Sequence, residues 1–424
     1  LTTEIETAEK ALHEFLLSAH DTDVFDGLSG FLEYIQGARS RDEYSYRRTL
    51  RAGSGPTVQV DSTSGGGPRE MLLMASNNYL DLATDPRVIQ AAAEALRRFG
   101  YGSGSVSLLA GTQSVHRLLE EELASFYRRE RAVVFPTGYS ANVGTIGALA
   151  REGDLVLLDM YAHASIVDGT RLGSATVKFF KHNDIDHLRA TLKRCRSLFR
   201  GVLIATDGVF SMDGDVCDLP GLVAVRDEYG ARLMIDEAHA IGVLGNHGLG
   251  TEEYHGMQGA VDIVAGTLSK APAGLGGYVA GSIELTEYLR HLATSYVFST
   301  SLPPPTAGGL IEALRIIRED SERRERVLRN AEYFTRRLRA DGFNVGATVT
   351  PIVPVILGNE RLTRLFARDL DAAGIFVSPV VFPAVAKTQS RLRFSLMSSH
   401  TVDQLDRTVD ALRRLARSHR VLDC

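Results

Sequence analysis

Cysteine is scarce in this chain. Cys195, Cys217 and Cys424 are the only three in 424 residues, and none forms a Cys-x-x-Cys pair, which excludes a disulfide framework and a cysteine-type zinc site. A reducing compartment fits that usage, so the chain is read as cytoplasmic. Lysine is scarce too: of 47 basic residues six are lysine (Lys10, Lys178, Lys181, Lys193, Lys270, Lys387) and the rest arginine. Codon bias accounts for the imbalance, yet it leaves few amines for any chemistry that needs one. No window approaches the about 20 apolar residues of a membrane span, and no secretory leader pattern is present. Positive charge is not in excess either, since 47 − 52 leaves −5, so nothing electrostatic calls for nucleic acid.

What is there is an ordinary globular composition, 44% hydrophobic and 23% charged, which excludes a disordered or fibrous chain. At about 100–200 residues per domain, two domains, or one large domain with an appendage, are expected. Residues 1–50 carry apolar residues at helical spacing (Leu12, Phe15, Leu16, then Phe31, Leu32, Ile35) and read as a helical arm. A Gly/Ser/Pro-rich break follows at 53–69, and the arm with its linker is taken as 1–69.

From about 84 to 280 helical patterns (86–99, 115–129, 140–151, 184–197, 219–229) alternate with short apolar runs at 132–135, 155–159, 176–180, 202–206, 232–236, 262–265 and 277–281. Continuous rather than alternating runs are what strands covered on both faces require, so the fold class is α/β, a mostly parallel sheet between helices. This large domain is taken as 70–305. Beyond a break at 299–308, residues 309–340 read as one long helix. A smaller α+β unit follows, with strands near 349–357, 375–382 and 391–396 and a helix at 402–417, so 306–424 is the connecting helix and small C-terminal domain.

The sharpest local feature is Asp236-Glu237-Ala238-His239 at the end of an apolar run. It spells a helicase-type Walker B, but that reading needs an upstream phosphate loop of the form G-x-x-x-x-G-K-[ST], and the chain has none. The carboxylate and imidazole precede Lys270, which lies in an uncharged stretch, Gly266-Thr267-Leu268-Ser269-Lys270-Ala271-Pro272-Ala273-Gly274. A lysine after serine is ordinarily a solvated surface group. Poor solvation lowers an amine's pKa and frees it for a Schiff base, and pyridoxal phosphate sites pair such a lysine with an acid on the pyridinium nitrogen. Asp236 supplies that acid. Pro136-Thr137-Gly138-Tyr139-Ser140, between a strand and a helix, offers backbone N–H groups to an anion, and Thr267 and Ser269 add hydroxyls. His163, just past the run at 155–159, is either a structural hydrogen-bonder or a ring that stacks on a planar cofactor.

Taken together and in order, the words Ser76-Asn77-Asn78-Tyr79-Leu80, Gly111-Thr112 with His116, FPTGYSAN (135–142), HASIVDG (163–169), TDGVFSMDGD (206–215), DEAH (236–239), GTLSK (266–270) and FSTSLPP (298–304) resemble those of the α-oxoamine synthases, fold-type-I pyridoxal-phosphate enzymes, over about three quarters of the chain. The resemblance implies that Lys270 carries the cofactor as a Schiff base, Asp236 pairs with its ring nitrogen, His239 bonds its phenolic oxygen and His163 stacks on it. It implies phosphate binding by Gly138 and Tyr139 with Thr267 and Ser269, and a cofactor contact from Ser211. Ser299 and Thr300 match a segment that reaches the phosphate of a second subunit, so a homodimer with shared sites is expected. Asn77 falls near the substrate, and Arg393 matches an arginine that clamps the amino-acid carboxylate, a task suited to a planar guanidinium.

The implied reaction is a decarboxylating Claisen-type condensation of a small amino acid (Gly, Ala or Ser) with an acyl thioester, on CoA or on an acyl carrier protein, giving an α-amino ketone. Lys270 and His163 would act as base and carbonyl donor, with Asp236 and His239 completing the catalytic set. A different fold-type-I reaction such as transamination is the alternative. A catalytically dead partner subunit is a third reading, opposed by the intact Lys270, Asp236 and His239. Three positions depart from the family: Ser107 stands where many relatives have arginine, Asp81 where glycine is usual, and Ala162 where a polar residue precedes His163.

Overall fold

The computed structural model describes residues 23, 25, 27–41, 43–61 and 67–421. Leu12, Phe15 and Leu16 of the expected arm helix lie outside them. The chain divides into two compact units: a larger one of residues 77–211 and 215–328, and a smaller one formed by the N-terminal residues through 76, the short piece 212–214 and everything from 329 onward.

The larger unit is built on seven strands: β3 (Arg131–Phe135), β4 (Leu155–Asp159), β5 (Thr176–Phe180), β6 (Val202–Asp207), β7 (Arg232–Asp236), β8 (Ile263–Thr267) and β9 (Gly277–Gly281). The smaller holds β1 (Thr57–Val60), β2 (Arg69–Leu73), β10 (Ile352–Ile356), β11 (Ile375–Phe376), β12 (Ser378–Val380) and β13 (Arg391–Ser395). The seven-stranded order is β3-β9-β8-β7-β6-β4-β5. Strands β5, β4, β6, β7 and β8 run parallel, and β9 lies antiparallel between β8 and β3.

The reason for a parallel core is legible in burial. Every residue of β4, β6 and β8 is buried, as are the last four of β7, which demands helices on both faces. Strand β5 departs from the expectation of a doubly covered strand: it is the sheet edge, with Lys178 and Phe179 exposed. A lysine on an edge strand blocks pairing with another chain. From β4 the chain steps outward to β5 and then returns to the other side of β4 for β6. Ligands in open α/β sheets bind beyond the carboxyl ends of strands at such a reversal.

The stretch expected to be one helix over 309–340 is two, Pro304–Glu319 and Ser321–Ala340. Asp320 ends the first with a non-helical backbone, and its carboxylate accepts from the Arg323 N–H at 3.3 Å, capping the second.

In the smaller unit β10, β13 and β12 form an antiparallel sheet, and β1, β2 and β11 a second one. The single strand expected at 375–382 is therefore divided: Ile375 and Phe376 pair with β2, Ser378 to Val380 with β13. Part of the 53–69 break is also a strand, since β1 pairs with β2. The helix Leu28–Ser40 buries Tyr34 and Ala38 and leaves Phe31 and Leu32 exposed, so its inward face is turned from the expected one. The Tyr34 hydroxyl is bonded by Arg364.

Candidate active site

The parallel strands deliver acids to one end of the sheet. Asp207 closes β6 and Asp236 closes β7, directly opposite each other in the pairing register, and both are buried. Two donors hold Asp236: the Asn142 amide nitrogen reaches Oδ2 at 2.6 Å and the Ala238 N–H reaches Oδ1 at 2.9 Å. Such a donor pair suits a carboxylate that accepts only. Asp207 differs. Burial and then the neighbouring Asp236 charge push its carboxyl well above the usual range. Its Oδ2 accepts from the His163 N–H at 2.8 Å, tying the turn after β4 to the end of β6 across the strand reversal.

His163 caps the helix α1 (Ala164–Leu172). The Ser165 N–H donates to its Nδ1 at 3.3 Å, and the Ser165 hydroxyl lies 2.7 Å from the same nitrogen. That hydroxyl oxygen accepts from Asn142 at 2.9 Å, which turns its proton toward the imidazole. Nδ1 is therefore an acceptor and the ring proton resides on Nε2. Burial lowers the His163 pKa, with Lys270 adding to the effect against the raising influence of Asp236 and Asp168. The ring is neutral and offers an Nε2–H donor.

Between β3 and the helix Gly138–Leu149, Thr137 is the N-cap: its Oγ1 accepts from the Ser140 N–H at 3.0 Å while the Ser140 hydroxyl accepts from the Thr137 N–H. The first-turn N–H groups of Gly138 and Tyr139 are left without partners among the described residues, which is the donor set a helix N-terminus offers an anion. A Cβ on Gly138 would lie 2.6 Å from the Thr267 Cβ, so glycine is required for this close approach of helix to strand end. The Thr267 hydroxyl donates to the Gly276 carbonyl at 3.0 Å and lies 2.8 Å from the Ser269 hydroxyl.

Lys270 lies in the tight connection from β8 to β9. Leu268 and Gly276 are joined by a backbone bond of 2.9 Å, and Ala273 adopts a left-handed φ of 61° behind an N–H bond to the Lys270 carbonyl. Among the five described lysines the other four are exposed, and Lys270 alone is partly buried. The paucity of lysine thus points to the residue that the fold itself shelters.

One cavity of about 250 Å³ is lined by Gly138, Tyr139, His163, Asp236, Thr267, Ser269 and Lys270, seven of the residues expected from the sequence. Asn142, Ser165 and Asp207 line it as well; these were not singled out, because nothing in a linear motif marks an amide or serine that acts through another side chain. His239 is buried, its Nδ1 2.8 Å from the Tyr79 hydroxyl, which also donates to Asn77 at 3.2 Å. Ser211, Ser299, Thr300 and Asn77 are not among the lining residues. Thr300 is exposed and its backbone bridges to Val106.

In the smaller unit Arg393 is buried at the centre of β13, flanked by Pro354 of β10 and Ser378 of β12, and donates to the Ser395 hydroxyl at 2.7 Å. Two of the three departures from the family have structural answers. Asp81 sits at φ 54°, a left-handed conformation that favours glycine and that aspartate tolerates. The Ser107 hydroxyl is spent on Ser301 at 2.8 Å inside a single π turn, Ser107–Gly111.

The pattern of the aminotransferase class I and II family matches residues 69–412. The chain is 42% identical over 390 residues to 8-amino-7-oxononanoate synthase of Alkaliphilus oremlandii, covering 92% of this chain and 97% of that one. It is 40% identical over 381 residues to a serine palmitoyltransferase of Sphingobacterium spiritivorum, covering 90% and 94%. Among solved structures, the serine palmitoyltransferase of S. paucimobilis with a bound PLP–myriocin aldimine superposes with a TM-score of 0.89 at 31% identity, over 94% of this chain and 100% of that one.

Proposed function

The chain belongs to the aminotransferase class I and II family, among its α-oxoamine synthases, and from that premise we propose that its cavity condenses a small α-amino acid with an acyl thioester, releasing the thiol and carbon dioxide. It is a pyridoxal-phosphate-dependent acyltransferase of the fold-type-I class. The observation that carries the reading is the lining of one cavity by a sheltered amine, a doubly hydrogen-bonded carboxylate, a neutral imidazole and the open N–H groups of a helix.

That set fits pyridoxal phosphate. Gly138, Tyr139, Thr267 and Ser269 would hold the phosphate, Asp236 the ring nitrogen, and Lys270 the aldehyde carbon; Ser211 and His239 are assigned to the phenolic oxygen side. When bound, the cofactor supplies a carbonyl for amines and a ring that accepts the electron pair left at the amino acid's Cα.

The protein's own contributions follow from its residues. With the cofactor bound, Lys270 Nζ would be the base that takes the Cα proton. Asp236, fixed by Asn142 and Ala238, would hold a proton on the ring nitrogen and so favour that electron acceptance. His163 Nε2–H donates to the thioester carbonyl oxygen as charge develops there. Burial, which lowers the His163 pKa, favours this neutral donor. Arg393, on a strand and braced by Ser395, is the partner for the substrate carboxylate, and Asn77 is assigned to the same substrate.

A homodimer is part of the proposal. Ser299 and Thr300 match a segment that reaches a second subunit's phosphate, and Phe298, next to them in the chain, is 80% exposed. An acyl carrier protein is the alternative thioester donor to CoA.

The test is a panel of glycine, alanine and serine against acyl thioesters of graded length, read by free thiol and by labelled carbon dioxide. Substrate-dependent release of both is expected. Transamination without either sinks the condensation. Lys270→Ala should abolish the borohydride-fixed link between lysine and cofactor together with turnover, and retained turnover overturns the role of Lys270.

A further inference from the structure

His182 is a residue that neither the motifs nor the reaction uses. It follows the edge strand β5 and lies between two acids: Nδ1 is 3.1 Å from Asp159 Oδ1 and Nε2 is 2.9 Å from Asp215 Oδ2. A carboxylate oxygen only accepts, so both ring nitrogens must donate, and a neutral imidazole has one proton to give. The ring is an imidazolium. Its faces are occupied as well. Tyr161 stacks on it at 4.4 Å between centroids and 23° between planes, and Phe210 meets it edge-on at 4.3 Å; a cation over an aromatic face adds attraction.

The neighbours tie this cation to two parts of the site. Asp159, at the end of β4, accepts the Tyr161 N–H at 2.8 Å through the same Oδ1 that faces His182, and Tyr161 stands two residues before His163. Asp215 closes the loop that leaves β6: its carbonyl accepts the Phe210 N–H at 3.0 Å, and Phe210 immediately precedes Ser211. Asn183 joins both, donating its N–H to Asp159 Oδ2 at 2.9 Å and its amide to Asp215 at 3.2 Å and to the Val216 carbonyl at 3.0 Å.

We propose that His182, held between Asp159 and Asp215, is a positioning residue that sets both the turn bearing His163 and the loop bearing Ser211 for cofactor binding. The inference rests on the cofactor reading of the cavity. Asp159, buried at the end of β4, and Asp215, half-buried in the loop after β6, would repel; the cation between them converts that repulsion into a clamp. Other titratable groups on this side include Asp207 and Cys217, both within electrostatic range of Asp159, and burial raises the pKa of each. Lys181 precedes His182 in the chain and is exposed. The two flanking carboxylates overcome burial and raise the His182 pKa to about 9, which extends the clamp through neutral pH.

The experiment uses the holoenzyme and His182→Gln, with the double variant His182→Gln/Asp215→Asn as a neutral network of the same size, and His187→Gln as a control on the same segment. Visible circular dichroism per bound cofactor reports how the ring is seated. It should fall at least about twofold in both His182 variants, and the Kd for pyridoxal phosphate should rise about tenfold, while the control keeps both. In the wild type, histidine-labelled NMR should show the resonance missing from His182→Gln protonated until about pH 9, and the dichroism should decline through that pH; the decline should be absent in the variants. Unchanged dichroism and affinity in both His182 variants, whatever their Tm, overturns the proposal, as does a resonance that titrates below pH 7. A wild type that binds the cofactor with strong dichroism yet releases no thiol defeats the condensation reading and leaves the clamp standing.

Discussion

The side-chain nitrogen of Asn142 donates to Oδ2 of Asp236 at 2.6 Å and, at 2.9 Å, to the hydroxyl of Ser165. One amide therefore fixes the acid at the end of β7 and, through Ser165, the tautomer of His163. Removing a donor from a buried charged acceptor costs about 1.5–3 kcal/mol. Asn142→Ala should lower kcat/KM by about 10- to 100-fold, and Asn142→Asp more, because it sets a like charge against Asp236. Steady-state kinetics with fixed cofactor saturation measure both, and an alanine variant within twofold of the wild type would falsify the linkage.

Gly138 has no room for a side chain, the nearest obstacle being the Thr267 Cβ at 2.6 Å. Gly138→Ala must displace either the helix start or the Thr267 hydroxyl, both of which belong to the anion cradle. The expected result is a Kd for pyridoxal phosphate at least about tenfold weaker, with far-ultraviolet circular dichroism unchanged. Spectroscopic titration of the apoprotein decides it, and wild-type affinity would mean that the phosphate is held elsewhere.

His400 is buried in the smaller unit, where Nδ1 accepts from the Met397 N–H at 3.0 Å and Nε2 donates to the Leu73 carbonyl at 3.1 Å. Burial depresses its pKa from 6.5 to about 4. Between those values the unfolded chain binds a proton that the native state refuses, so stability rises with pH across the window and is lost as pH falls from about 6.5 toward about 4. Denaturant midpoints of the wild type should drop over that interval, and His400→Gln, which cannot take up the proton, should show a shallower drop. Equal slopes would rule out His400 as the source.

Arg391 is buried, and its NH1 contacts Asp213 at 2.6 Å and the Met212 carbonyl at 3.2 Å. Asp213→Ala leaves an uncompensated guanidinium and should destabilise by about 3–5 kcal/mol, whereas Asp213→Ala combined with Arg391→Met should recover part of the loss. Thermal unfolding of both variants gives the comparison, and a single variant as stable as the wild type contradicts it.

Much of the fold was legible because strands covered on both faces must be apolar throughout. The runs at 155–159, 232–236 and 277–281 coincide with β4, β7 and β9, and the helix Leu219–Tyr229 matches its expected span. Local composition misled where tertiary position outweighs it. The run at 176–180 is apolar enough for a covered strand yet ends the sheet, and the stretch at 375–382 is shared between two sheets.

The site divides along the same line. Lys270, Asp236, His163 and the Gly138–Tyr139 turn are marked in the chain because their chemistry requires particular residue types in particular local settings. Asn142, Asp207 and His182 act through partners distant in sequence: Asn142 is 94 residues from Asp236, Asp207 is 44 from His163, and His182 is 33 from Asp215. The sequence by itself determined the chemical groups and the strands that carry them, since composition and local spacing suffice for that. Only the tertiary structure decided which groups meet, because strand order brings together the carboxyl ends of β4, β6 and β7, and hydrogen bonds form between neighbours in space.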